Sequence, residues 1–301
     1  MKTVRCLISR NLKLFFKDKG LFFTSLITPL ILLVLYTTFL GNVYRDSFML
    51  SIPEFLNIDE KIIEGCVGGQ LMSSLLAVSC ITVAFCSNML MVQDKVNGAA
   101  NDIAVSPVKS SIVAFSYYTA TFIATFFICL VALGACLIYL AVTGWYLSVA
   151  DVLFLVLDIF IMVMFGTALS SVIGFFLSSQ GAISAVGSIV SSCYGFICGA
   201  YMPISQFGEG LQNLLSFLPG TYGTVLFRNH SMRGALNALN EAGLPNDAVE
   251  EIKNAIDCNL YFMDEKVSIG AMFAVVGVTV LVSIIAYIIL NIVKGGKAKK
   301  C

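Results

Sequence analysis

Few residues in this sequence could carry proton chemistry. Asp158 lies about two turns inside a long apolar stretch, where burying an acid costs about 2.5–3.5 kcal/mol. Such an acid usually faces a partner or a water-filled cavity; alternatively, it lies near enough to the membrane surface to reach water or Tyr and Ser hydroxyls. The sequence leaves both arrangements open. His230 is the sole histidine and has no Cys or Ser at a catalytic spacing, so we expect it on the surface.

The motifs that bind phosphates, dinucleotides or metals are missing from the sequence. It contains no G-x-x-x-x-G-K-[ST] loop, no G-x-G-x-x-G after a strand pattern and no C-x-x-C pair. Most of the ten cysteines lie in apolar stretches and are interpreted as packing residues, whereas a disulfide between Cys66 and Cys258 is left open. We therefore predict no catalytic residue, no metal site and no cofactor on this chain.

The composition is that of a membrane protein. Hydrophobic residues make up 58% of the chain, the mean hydropathy is +0.91, and only 12% of residues are charged, against about 25% in soluble domains. A helix needs roughly 20 apolar residues to cross the hydrocarbon core. On this basis we predict an all-α integral membrane protein with six transmembrane helices, at about 21–43, 66–92, 111–142, 151–177, 181–202 and 267–293.

The chain is predicted to form a single transmembrane domain over 1–301. Residues 1–20 form an amphipathic interfacial helix, residues 21–202 hold spans 1 to 5, residues 203–266 form an outer re-entrant segment with an extracellular loop, and residues 267–301 hold span 6 and a basic tail. In the first part the basic residues lie on one helical face and Val4, Leu7, Ile8, Leu14 and Phe15 on the other, so we expect the apolar face among acyl chains.

Basic residues predict the orientation, because they accumulate on the cytoplasmic side of membrane proteins. With both termini cytoplasmic, that side holds twelve of the eighteen Lys and Arg residues, and the outer loops hold most acids, including Glu54 and Glu64. The twelve are Lys2, Arg5, Arg10, Lys13, Lys17, Lys19, Lys95, Lys109, Lys294, Lys297, Lys299 and Lys300. We expect a multi-pass protein of the bacterial plasma membrane.

Small residues at helical spacing mark faces on which helices approach closely. Span 4 carries Gly166, Ser170 and Gly174, and span 5 carries two neighbouring ridges. The positions proposed for pathway or dimer packing, together with Asp158, are Ser184, Ser188, Ser192, Gly195 and Gly199. Packing within the chain and a dimer or pathway surface are both open. Helical spacing at Gly234–Asp257, interrupted by Gly243-Leu244-Pro245, further predicts two short helices over the outer mouth.

Three stretches resemble the type-2 ATP-binding-cassette export permeases, and the resemblance spans the whole chain. The first is the basic amphipathic leader followed by F-K-D-K-G-L-F-F and Pro29. The second is the loop between spans 2 and 3, where Asp94, Lys95, Gly98 and Pro107 occupy family positions, although Val96, Asn97, Ala99 and Ala100 depart from the commoner residues. The third follows span 5 and comprises Gly199, Met202, Pro203, Leu214, Leu218, Pro219 and Arg228.

The resemblance implies a permease whose energy comes from a separate ATPase that carries the ATP and Mg. Asp94, Lys95, Gly98 and Pro107 would form the ATPase-coupling helix. A second permease, identical or different, would complete a dimer in membrane lipid, with spans 1, 2 and 5 lining the path. No nucleic acid partner is implied. The outer gate would consist of Pro203, Glu209, Leu214, Leu218 and Pro219, with the helix before Pro219 ended by that proline and Glu209 facing water.

The predicted function is export of an amphipathic, drug-like, peptide or lipid-linked substrate. Two alternatives remain at the level of the sequence. An ATP-independent secondary transporter would show charge pairs inside the membrane or an inverted repeat. A non-transporting immunity or sensory subunit would change resistance without measurable efflux.

Overall fold

The structure is a computed structural model that describes residues 2–51, 58–263 and 265–298. Glu54, Lys299 and Lys300 of the charge pattern lie outside these residues. The fold is mostly helical (84%), in agreement with the predicted class. The chain begins with α1 (Lys2–Lys17) and α2 (Lys19–Leu35), and a π helix (Tyr36–Leu40) joins α2 to α3 (Gly41–Ser51).

The remaining helices follow in two groups. The first contains four long or medium helices and one short helix: α4 (Glu60–Val96), α5 (Ala99–Val105), α6 (Ser110–Thr143), α7 (Val149–Phe176) and α8 (Gln180–Ile197). The second contains a 3₁₀ turn (Ile204–Gln206), α9 (Glu209–Leu215), α10 (Pro219–Glu241), α11 (Asn246–Ala255), the antiparallel pair β1 (Tyr261–Phe262) and β2 (Glu265–Lys266), and α12 (Ile269–Ala298).

Five helices in the described residues are long and apolar enough to cross a membrane, and they match five of the six predicted spans. They are Lys19–Asp46, Glu60–Val96, Ser110–Thr143, Val149–Phe176 and Ile269–Val293. The predicted span at 181–202 corresponds to α8, which is a shorter apolar helix, so the count of six is not confirmed.

The centre of the fold is α4, which contacts α2, α6, α7, α8 and α10. Nearly every residue from Ile62 to Val92 is buried by helices of the same chain. Of the three spans expected to line a path between two copies, α4 therefore presents no open face. In contrast, α2 exposes Phe23, Ile31 and Val34.

The small-residue face of α7 packs on α4, as the internal-packing alternative predicted. At Gly166 an added Cβ would lie 2.8 Å from the Cys80 carbonyl oxygen, and the Asn88 side chain of α4 donates to the Ser170 carbonyl at 2.7 Å. The serine ridge of α8 differs, because Ser184, Ser188 and Ser192 are exposed within the described residues. The same small-residue spacing thus lies at a helix contact in α7 and on an exposed face in α8.

One local prediction about the ends of the bundle needs correction, and another stays a prediction. The interfacial position of α1 is the latter: α1 packs along α6 and Phe15 is buried against Ala124 and Ile128, whereas Leu14 of the same apolar face is exposed. The first of the two outer helices is much longer than expected and begins at Pro219. The break at Gly243–Pro245 is confirmed.

Replacing Gly166 by alanine tests the close packing of α7 on α4. The new methyl group would collide with backbone that cannot move aside, so we expect a loss of about 1–3 kcal/mol in stability and a lower melting temperature in detergent. Gly187→Ala in α8 is the matched control, because no described atom lies within 4 Å of its added Cβ. It should leave stability unchanged or raise it, since alanine favours the helix. Equal melting temperatures for the two variants would contradict the packing argument.

Candidate functional site

The carboxyl end of α4 carries a buried acid that ties three helices together. Arg10 of α1 donates to both oxygens of Asp94, at 2.5 and 3.1 Å, and the Tyr117 hydroxyl of α6 donates to the same carboxylate at 2.5 Å. The hydrogen bond to Asp94 raises the pKa of the Arg10 guanidinium. A bidentate charged pair of this kind fixes orientation as well as distance. Asp94 thus clamps α1, α4 and α6.

Lys95, the next residue of α4, binds a fourth helix, α7. Its ammonium group donates to the carbonyls of Gly174, Phe175 and Leu177, at 2.7, 3.0 and 3.1 Å. These carbonyls lie at the carboxyl end of α7, where helices leave acceptors unsatisfied and where the helix dipole favours a cation. The charged groups of Asp94 and Lys95 are therefore both bound to neighbouring helices of the same chain.

The exposed part of this end is the short helix α5. Gly98 takes a left-handed conformation (φ +83°), which lets the chain reverse directly after α4. The helix that follows contacts mainly α4, exposes Asp102, and leaves Val105 86% exposed. Pro107 is exposed just after its end. Of the predicted coupling residues, Asp94 and Lys95 thus bind neighbouring helices, and Gly98 and Pro107 flank the short helix α5.

The opposite end of the helix bundle, which the charge pattern predicts to lie outside, contains a second buried ion pair, between Arg228 and Asp257, at 3.3 Å. Arg228 also donates to the Gly199 carbonyl, and Asp257 accepts from the backbone N–H groups of Ile204 and Ser205. These bonds fasten the turn after α8 to α10 and to the end of α11. Gly199 itself has φ +73°, and a side chain there would meet Ile204. Arg228 was recognised in the sequence only as a family position; its partner Asp257 was missed.

The proposed gate residues lie around this pair but do not form one apolar face. Pro203 is buried, whereas Leu214 is 62% exposed and Glu209 is exposed. Leu218 is also exposed. Pro219 does not end a helix: it is the first residue of α10, a position that suits proline because the N–H there has no helical partner. Gly195 packs against the ring of Tyr201 just before the turn.

α10 runs antiparallel to α7 along its outer half. At one end, Gly234 abuts the Tyr146 carbonyl in the connection before α7. At the other end, Gly223 packs against Met162, which lies about 20 Å along α7 from its start at 1.5 Å per residue. α10 therefore reaches deep between the long helices, where the sequence had suggested only a soluble cover.

Asp158 and His230 form a buried pair between these two helices. The His230 Nδ1 atom lies 2.6 Å from an Asp158 oxygen, and both side chains are almost fully buried. The imidazole is stacked between the rings of Phe154 and Phe273. The surface position expected for His230 was wrong, and of the two arrangements open for Asp158 the structure has the one with a partner. A second pair joins the same two helices: Arg233 of α10 pairs with Asp151, near the start of α7, at 2.6 Å.

The cysteines fit a packing function more than a redox or metal function. Cys66 and Cys258 lie close enough to interact electrostatically, yet both are buried free thiols. Burial raises the pKa of Cys258 to about 12, so little thiolate exists at neutral pH. No cluster of His, Cys, Asp and Glu suited to a metal occurs in the described part of the chain.

Substitution of His230 tests the buried pair. His230→Leu would leave Asp158 with no hydrogen bond, so we expect the free energy of unfolding to fall by about 1–3 kcal/mol. The double variant Asp158→Leu/His230→Leu should recover most of that loss, because replacing both partners by apolar groups removes the unsatisfied acid. Melting temperatures in detergent measure both effects. If the single and double variants were equally unstable, the pair would not be the cause.

Most of the residues described above lie in a region that matches a known protein family. The profile of the family described as ABC-2 type transporter matches residues 2–230, a range that includes both clamps at Asp94 and Lys95, Arg228 and the Asp158–His230 pair. No curated protein matches the chain in a sequence search. The matched range is more than half of the chain, so the chain belongs to the ABC-2 type transporter family, whose members are membrane subunits of transporters.

Proposed function

We propose that this protein is the permease subunit of an exporter driven by a separate ATP-binding-cassette ATPase. The sequence holds no phosphate loop, so nucleotide chemistry has to be supplied from outside these residues. The cargo is proposed to be amphipathic: a drug-like, peptide or lipid-linked molecule. The membrane is proposed to be the bacterial plasma membrane, with both termini in the cytoplasm.

The observation that carries this proposal is the way in which α5 is attached to the long helices. An exposed helix can transmit a push only if its attachment is rigid. α5 follows directly on the part of α4 where Asp94 binds α1 and α6, and where Lys95 binds the end of α7. Force applied to α5 would therefore move four helices together instead of bending a loop. This supports assigning α5 as the ATPase contact, with Gly98 and Pro107 defining its two ends.

The outer segment is proposed to close the exit. Support comes from the depth of α10, which reaches Met162, and from the turn that Arg228 and Asp257 fasten. Irregular backbone at membrane depth is tolerated only where protein shields it or water fills a cavity. The turn after α8 satisfies that condition through its bonds to Arg228 and Asp257, and α9 is attached to α10 through Leu215, whose carbonyl accepts from the Thr221 hydroxyl. This supports a re-entrant gate containing Pro203, Leu214, Leu218 and Pro219.

A second copy of a permease, identical or related, is proposed to pack on the exposed faces of α2 and α8. The ridge of Ser184, Ser188 and Ser192 supports this, because it has the composition of a helix contact but is exposed on its own chain. Two permeases and two ATPases would then form the working unit.

One observation favours a second candidate, transport without ATP. The Asp158–His230 pair is the kind of buried titratable pair that proton-coupled transporters use. Its enclosure by Phe154 and Phe273 argues for a structural function instead. Proton-driven uptake into vesicles that lack any ATPase, abolished in His230→Gln, would support the second candidate over the first.

Charge placed on α5 tests the ATPase contact. Val105→Asp puts an acid on the exposed helix without touching either clamp, so we expect the amount of co-purified ATPase to fall about tenfold, with an unchanged melting temperature. Val149→Asp is the matched control, because Val149 is 80% exposed at the far end of α7. Gly98→Ala should also weaken the complex by straining the turn.

A tight complex that is indifferent to both α5 variants would rule out α5 as the contact. The absence of any ATPase that binds the wild-type chain would contradict the exporter assignment itself.

A further inference from the structure

A group of buried polar atoms without partners lies where α2, α4, α8 and α10 meet in the outer half of the protein. Within the described residues, no hydrogen bond reaches either end of the Gln70 amide, the hydroxyl of Ser74 or the hydroxyl of Tyr36. The Tyr194 hydroxyl and the Nε of Arg228 are also unpaired. Buried polar groups are almost always satisfied, so such a concentration requires an explanation such as water or a ligand.

These groups face one another. Gln70 and Ser74 are one turn apart on α4, and the Tyr44 hydroxyl lies beside both, though without hydrogen-bond geometry to either. That hydroxyl makes only a long contact of 3.5 Å with the Tyr201 carbonyl. Tyr36 is within electrostatic reach of Tyr44 and Tyr201. It begins the π helix, a feature found frequently at functional sites because it displaces side chains from regular spacing.

A cavity of about 200 Å³ adjoins this group on the outer side. Tyr44 and Tyr201 belong to both, since their rings line the cavity. The rest of the lining is largely apolar and includes Leu40, Phe48, Ile252 and Ile256. An apolar cavity with a few converging polar groups is the usual form of a small-molecule site. Gln70 is fully buried and does not itself line the cavity, so a molecule in the cavity would reach it past Tyr44 once the long Tyr44–Tyr201 contact breaks.

Charge and hydrogen-bond capacity limit what can bind. Among the described residues, the cation near the group is Arg228, and it is already neutralised by Asp257, so a charged ligand would be buried without a counter-charge. Gln70 offers a free carbonyl acceptor and a free N–H donor side by side. The group that matches both at once is another amide.

We propose that Gln70, Ser74, Tyr36 and Tyr44 bind an uncharged amide of the exported molecule, with the adjoining apolar part in the cavity. This rests on the proposed function and narrows its cargo to neutral, amide-bearing amphipathic molecules. The site lies inside one protomer, away from the exposed faces of α2 and α8.

A matched pair of probes tests the inference. Tritiated N-phenethylhexanamide has one amide, and phenethyl hexanoate has the same skeleton with an ester that cannot donate. Equilibrium binding is measured on the full chain in lipid nanodiscs without ATPase, with binding to empty nanodiscs subtracted. We expect the wild type to bind the amide about tenfold more tightly than the ester. Gln70→Leu should remove the preference by weakening the amide alone.

Two further variants keep the result interpretable. Tyr36→Phe should reduce the preference for the amide over the ester, because it removes one hydroxyl and keeps the shape of the ring. It provides the test if Gln70→Leu does not fold. Ser79→Ala is the control: Ser79 is another buried, unpaired serine of α4, but at 100° per residue it lies on the face opposite Gln70, so the preference should persist.

Equal affinities in the wild type, no saturable binding of either probe, or a preference retained in both Gln70→Leu and Tyr36→Phe would overturn the proposal. The first of these results would indicate that the group holds only water. Co-purification of the ATPase from the same preparation distinguishes such a failure from a failure of the exporter assignment.

Discussion

Close packing on α4 is the constraint on which the other contacts depend. A helix buried along almost its whole length forces its neighbours to approach at backbone distance, so the facing positions must be small. Gly69 of α4 meets the Ser231 carbonyl of α10, and Gly166 of α7 meets the Cys80 carbonyl of α4. Such backbone contacts fix the positions of α7 and α10 along the axis of α4. The polar pairs between α7 and α10 can form only in that register.

α7 connects the two ends of the molecule. Its carboxyl end is bound by Lys95 at the base of α5, and its outer half carries Asp151 and Asp158, which bind α10. Because a helix resists compression along its axis, a displacement at α5 can reach α10 through α4 and α7 without passing through a flexible loop. The fold therefore contains a physical route from the exposed inner helix to the fastened outer turn, and it depends on a few polar contacts.

The long helices were predictable because their signal is local. Runs of apolar residues predict the five long spans, and Gly243-Leu244-Pro245 predicts the break before α11. The partners of polar residues were not predictable, because they lie far apart in the chain: Asp158 and His230 are separated by 72 residues. α10 was missed as a deep helix for a related reason. Arg228, His230 and Arg233 make it look soluble, and only their buried acids explain its position.

The ion pair between Arg228 and Asp257 also bears on what opening would cost. Removing one partner of such a buried pair leaves the other as an uncompensated buried charge and costs about 3–5 kcal/mol. If the outer segment closes the exit, as proposed, opening it means breaking this contact. Opening is then favoured only when another interaction stabilises the open arrangement by a comparable amount. In an ATP-driven permease, that energy would arrive through α5. The buried polar pairs that hide the depth of α10 from sequence analysis would thus also make opening of the exit depend on a force applied at α5.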